Sequence, residues 1–134
     1  MQSEAILLWT TIGRTTVEGW PLLTIFKICR ASEWAEAERS GTFRGSPIDL
    51  RDGYIHFSTA EQVVATAAMH FAGVDGLKLV AVDADALGPA LKWEPARGGA
   101  LFPHLYGPLA IANVLWVRAL SLDEAGRHVF PDLS

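Results

Sequence analysis

Cysteine is nearly absent from the chain: Cys29 stands alone among 134 residues. A single thiol closes no internal disulfide, so the sequence fits a reducing compartment and predicts a cytoplasmic protein. Cys29 ends the apolar run 24–29. It reads as a buried structural thiol rather than a nucleophile. Long hydrophobic runs are missing too. No stretch approaches the ~20 apolar residues of a membrane span. Residues 5–9 are too short for the core of a secretory leader, with Glu4 before them and Arg14 and Glu18 after. Positive charge is scarce: 11 basic residues stand against 15 acidic ones, a net charge of −4, with no basic stripe. Duplex nucleic acid is held through clustered Lys and Arg that release counterions, so that partner is not expected. The GxGxxG, P-loop, HExxH and Gly-x-Ser-x-Gly patterns do not occur.

What is present is largely apolar. Half the residues are hydrophobic and 19% are charged, which argues against disorder. The length predicts one domain, able to bury about two-thirds of its surface. Residues 1–23 read as an N-terminal extension of unassigned role, and residues 24–134 as a single α+β domain. Residues 24–29 are β-branched and aromatic and predict a buried strand. Ser32 is placed to cap a short helix over 33–40, closed by Gly41. Residues 42–52, with Gly45, Pro47 and the Asp52-Gly53 pair, read as loop. Residues 54–58 predict a short strand. Thr59-Ala60-Glu61-Gln62 is a capping box that starts a second helix, ending at Gly73. The near-continuous apolar run 77–83 predicts a central strand. Residues 91–94 predict another strand, and residues 111–120 a last long one interrupted at Asn113. Strands outnumber helices without alternating with them. The expected class is α+β, with split mixed or antiparallel sheets and two main helices in the first half.

Three segments carry residues suited to chemistry. In the strand 54–58, alternation puts His56 on one side with Tyr54 and Ser58, opposite Ile55 and Phe57. If the Ile55 and Phe57 side is core, the other side lines a polar groove. Thr59 is best explained as the helix cap, although a helix start beside His56 also suits an anion. Around His104, two prolines and a glycine stiffen Phe102-Pro103-His104-Leu105-Tyr106-Gly107-Pro108, which reads as a loop presenting His104 and Tyr106. Between them, Glu94 supplies a carboxylate and Arg97-Gly98-Gly99 a guanidinium on an open loop, able to grip phosphate or pair with Glu94. His56, Glu94 and His104 have the composition of a two-histidine, one-carboxylate metal site, but they are widely separated and no metal is predicted.

In combination, Ile55-His56-Phe57-Ser58-Thr59, Trp93-Glu94, Arg97-Gly98-Gly99 and Phe102-Pro103-His104-Leu105-Tyr106-Gly107 resemble the family catalogued as domain of unknown function 952, which is mainly bacterial. The resemblance runs from about Ile25 to Leu120. It implies a fold similar to that of ADP-ribosyltransferases: two small sheets splayed apart with a nucleotide cleft between them. By that analogy alone a nucleotide or nicotinamide dinucleotide would be the ligand; the residues themselves predict no cofactor.

Two functional readings and one structural reading follow. In the first, a phosphate-bearing or nucleotide-like small molecule binds a cleft. His56 and His104 are then catalytic or hydrogen-bonding groups, Arg97 the anion clamp and Tyr106 a stacking partner, with Ser58, Thr59 and Glu94 completing the ligand contacts. In the second, Phe102, Leu105 and Tyr106 form a patch that docks a protein partner. In the third, the motifs only hold the fold.

Overall fold

A computed structural model describes residues 23–133; the N-terminal extension expected over 1–23 therefore lies almost wholly outside the described residues. The chain is α+β, and every strand pairing among the described residues is antiparallel. It begins with β1 (Thr24–Arg30), α1 (Ala31–Ser40), β2 (Thr42–Phe43) and α2 (Pro47–Asp52). Then come β3 (Ile55–His56), β4 (Ser58–Thr59), α3 (Ala60–His70) and β5 (Leu77–Asp83). Strands β6 (Leu91–Pro95), β7 (Leu101–Leu105), β8 (Leu109–Ala110) and β9 (Val114–Leu120) complete it. They form a four-stranded sheet in the order β4-β1-β5-β9, a three-stranded sheet β3-β7-β6, and the pair β2-β8.

The apolar run of β5 is explained by its place between β1 and β9, with both faces covered. On one face Ile25, Cys29, Val80 and Val82 meet Trp34 of α1 and Ile55, Phe57 and Leu105 of the three-stranded side. On the other, Phe26, Ile28, Leu79 and Ala81 pack against Val63 and Ala67 of α3. Cys29 lies in the first of these layers, where burial pushes its thiol up to about 12. It is buried as expected, although a helix starts two residues on, at Ala31.

The two larger sheets share one extended stretch. Ile55 and His56 pair with Leu105 and His104 of β7, while Ser58 and Thr59 pair with Phe26 and Ile25 of β1. Phe57, between them, donates its N–H to the Pro103 carbonyl at 3.0 Å. The chain thus leaves one sheet and enters the other within a single residue.

Four expectations need correction. Residues 42–52 are not all loop, because α2 forms there. Ser46 precedes it, Pro47 occupies its first turn, and the Asp49 carboxylate accepts the Ser46 N–H at 2.8 Å. That is the capping pattern of Ser-x-x-acid with proline at the first helical position. The first helix starts at Ala31 rather than after Ser32, with Glu33 accepting the Arg30 N–H. The last strand starts only at Val114, since residues 111–113 make a helical turn. Residues 101–105 are a central strand, not a loop. A proline is rarely found in such a strand because it donates no ladder bond. Here the Pro103 carbonyl faces Phe57, and its nitrogen is turned the same way, to the point where the neighbouring strand is departing. The missing donor costs little there.

Candidate functional site

The site follows from the register of β3 against β7. Because the Phe57 N–H points toward β7, the His56 N–H points away from it, and His56 and His104 face each other as a non-hydrogen-bonded pair. Such pairs bring side chains closest together, and the two imidazole rings lie 5.6 Å apart, edge to face. Ile55, Phe57 and Leu105 are buried in the core, so the opposite side carries His56, His104 and their neighbours, as alternation predicts. Tyr54 lies across both histidines, stacked on His104 at 4.2 Å and tilted against His56 at 4.6 Å. Tyr106 closes the aromatic group, 5.1 Å from Tyr54 and largely exposed.

Beneath His56 lies a carboxylate with all its acceptor capacity in use. Asp49 is 2% exposed. It accepts from Lys27 Nζ at 2.9 and 2.7 Å, from the backbone of Ser46 at 2.8 Å and His56 at 3.1 Å, and from His56 Nδ1 at 2.6 Å. Burial alone would raise its pKa. The His56 hydrogen bond, the Lys27 charge and hydrogen bond and the Ser46 N–H outweigh burial and hold the carboxyl below its usual range. The second nitrogen of His56, Nε2, lies 3.0 Å from Asp52 Oδ2. Both ring nitrogens of His56 are therefore faced by carboxylates.

His104 is held differently. It is 5% exposed, and its Nδ1–H donates to Glu94 Oε1 at 2.7 Å. Tyr106 O–H donates to the same oxygen at 2.8 Å. These two donors, His104 first, lower the Glu94 pKa, and the same bond raises that of Tyr106. Nε2 of His104 has no hydrogen-bond partner among the described residues.

The structure thus brings His56, Glu94, His104 and Tyr106 together, and places Ser58, Thr59 and Arg97 beside them rather than among them. Ser58 is buried and shares a hydrogen bond with Thr66 of α3 at 3.1 Å. Thr59 starts α3, its N–H donating to Gln62 Oε1 at 3.0 Å, as the capping box predicts. Arg97 makes no ion pair with Glu94. Its guanidinium lies 4.9 Å over the Phe102 ring and donates from Nη2 to Thr66 Oγ1 at 3.3 Å. Phe102 is one strand repeat, about 7 Å, from His104 on the same face, so Arg97 flanks the histidines.

Phe102 and Leu105 are 7% and 2% exposed and lie on opposite faces of β7, whereas Tyr106 is 40% exposed. The apolar patch expected from these three residues does not exist. Among the described residues, no three His, Cys, Asp or Glu side chains stand close enough to hold a metal. An open hollow of about 340 Å³ lies at the edge of the site, walled by Arg44, Asp49, Tyr54 and Pro108. A larger one, about 380 Å³, lies beside α1 between Glu36 and Arg44, away from both histidines. Asp49 and Tyr54 bring the first against the site; neither histidine lines either hollow. Lys27, Asp49, Asp52 and Thr66 are not among the site residues expected from the sequence. The signal that could have found Asp49 is the capping spacing from Ser46; nothing local marks Lys27, which is 22 residues from its partner.

Residues 28–117 match the model of a family described as Protein of unknown function (DUF952). The crystal structure of protein CC0527 from Caulobacter crescentus is similar at 48% identity and a TM-score of 0.77, covering 79% of this chain and 93% of that one. The solution NMR structure of CC0527 gives 49% identity and a TM-score of 0.71, covering 78% and 90%. None of the curated proteins matches the chain.

Proposed function

For this chain, which belongs to the DUF952 family of unknown function, we propose that the Tyr54–His104 face binds a phosphate-bearing, nucleotide-like small molecule. The observation that carries the reading is the buried His104, fixed by Glu94 through one nitrogen, without a partner at the other among the described residues, and stacked on the Tyr54 ring. A buried polar atom without a partner is uncommon in a folded protein and calls for an explanation; a ligand donor supplies one. Tyr106 and the outer face of Tyr54 suit a planar ring. Arg97, which donates from Nη2 to Thr66 and forms no ion pair among the described residues, suits a phosphate. The passage of residues 55–59 from one sheet to the other supports the ADP-ribosyltransferase-like reading of the fold, and with it a nucleotide-like ligand. Transferase activity is not part of the proposal, since β9 carries no acidic residue.

Thermal unfolding with ADP-ribose, nicotinamide dinucleotide, a mononucleotide and inorganic phosphate tests the reading. A ligand at about 100 times its Kd adds ~2.7 kcal/mol of stability, a shift of several degrees. The expected result is a shift with at least one phosphate-bearing ligand that is lost in Arg97→Ala and Tyr54→Ala, with both variants folded. Flat curves across the panel would sink it.

A further inference from the structure

We propose that Glu94 and His104 form a positioned base, in which Glu94 holds the proton on Nδ1 and leaves Nε2 to take a proton from a hydroxyl of the bound ligand or from a water beside it. The proposal rests on the ligand reading above for its substrate, a hydroxyl-bearing phosphorylated molecule, but its core is a property of the protein alone.

The geometry assigns the tautomer. An ionised carboxylate only accepts hydrogen bonds, so the 2.7 Å contact between Glu94 Oε1 and His104 Nδ1 places the hydrogen on Nδ1. Glu94 is held ionised by its two donors, His104 and Tyr106. In the neutral ring the remaining nitrogen then presents a lone pair. In the transfer, the O–H bond breaks with its electron pair left on oxygen, and an N–H bond forms at Nε2. The resulting imidazolium keeps its Nδ1–H on the Glu94 carboxylate, which offsets the new charge. The groups around the ring are His56 across the strand pair, Tyr54 on its face, Tyr106 and Glu94 at its side, and Lys92, its register partner on β6.

His56 is not equivalent, although it is the direct cross-strand partner. Its Nδ1 is bonded to Asp49 and its Nε2 lies at ion-pair distance from Asp52. Neither nitrogen is available to a ligand, so His56 acts as a positioning residue. It packs against Tyr54, which in turn covers His104.

Nitrogen-15 spectra of the histidine rings, recorded on the full chain without ligand and then with ADP-ribose, test both levels. The expected result for the neutral ring of His104 is a protonated Nδ1 and an unprotonated Nε2. Glu94→Ala moves the proton to Nε2, while the backbone amide spectrum elsewhere stays in place. A wild-type His104 protonated at Nε2 overturns the proposal, and this needs no variant to fold. An unchanged His104 tautomer in a folded Glu94→Ala overturns it as well. ADP-ribose is expected to move the His104 Nε2 resonance but not that of His56. An Nδ1–H tautomer that ADP-ribose leaves untouched counts against the ligand reading, while the base itself stands.

Discussion

Two histidines 5.6 Å apart on facing strands, His56 a third exposed and His104 buried, differ also in what is left over after their hydrogen bonds are made. Around His56, Asp49 serves Lys27, Ser46 and both donors of His56, and Asp52 faces the last nitrogen. Around His104, one carboxylate oxygen serves two donors and a ring nitrogen has no partner among the described residues. A saturated network fixes a structure, whereas an unsaturated one holds a lone pair in readiness. The first cluster is therefore the foundation on which the second is positioned.

The sharpest way to break this comparison is Asp49→Ala. It leaves the Lys27 ammonium, whose side chain is 5% exposed, without its partner. Removing one member of a buried pair typically costs about 3–5 kcal/mol, so urea unfolding should shift to much lower denaturant. A small effect would mean that the Asp49 cluster is not the foundation of the site. A smaller loss is expected for Gly45→Ala, which acts on the same cluster from outside. Gly45 has φ +125°, and an added Cβ would come 2.9 Å from Asp49 Cβ. Strain of this kind costs on the order of 1–3 kcal/mol, readable in the same urea curves, and it should displace Asp49 from His56. The smallest effect is one of pH. The Asp49 pKa lies below its ordinary value of 3.8, so its contribution is fully present above that value and fades as pH falls through the lower native one. The stability difference between wild type and Asp49→Asn should therefore be constant at neutral pH and shrink below about pH 4. A difference that persists to the acid limit would contradict the ion pair.

Much of this was legible in the sequence where the physics is local. The capping box at Thr59 depends on residues three apart and forms as read. The sidedness of Tyr54, His56, Ile55 and Phe57 depends only on strand alternation and also holds. Strand β7 was not legible, because Pro103 argues against a central strand unless the neighbouring strand is known to leave beside it. Helix α2 was obscured by Gly45 and Pro47, although Ser46-x-x-Asp49 carried its signal. The bond between Lys27 and Asp49 joins residues 22 apart. Arg97 and Thr66, 31 apart, meet only once α3 lies against the β6–β7 turn. Neither pairing follows from spacing.

The single residue at which the chain changes sheets has a further consequence, for cooperativity. Residues 55–59 belong to the ladders of both larger sheets, and Phe57 is bonded to β7 while its neighbours on either side serve different strands. Neither sheet can open at this strand without freeing amides of the other. Local opening should therefore spread across both, and amide hydrogen exchange in β1, β3, β4 and β7 should report one shared opening free energy, with the two histidines carried on a unit that breaks as a whole.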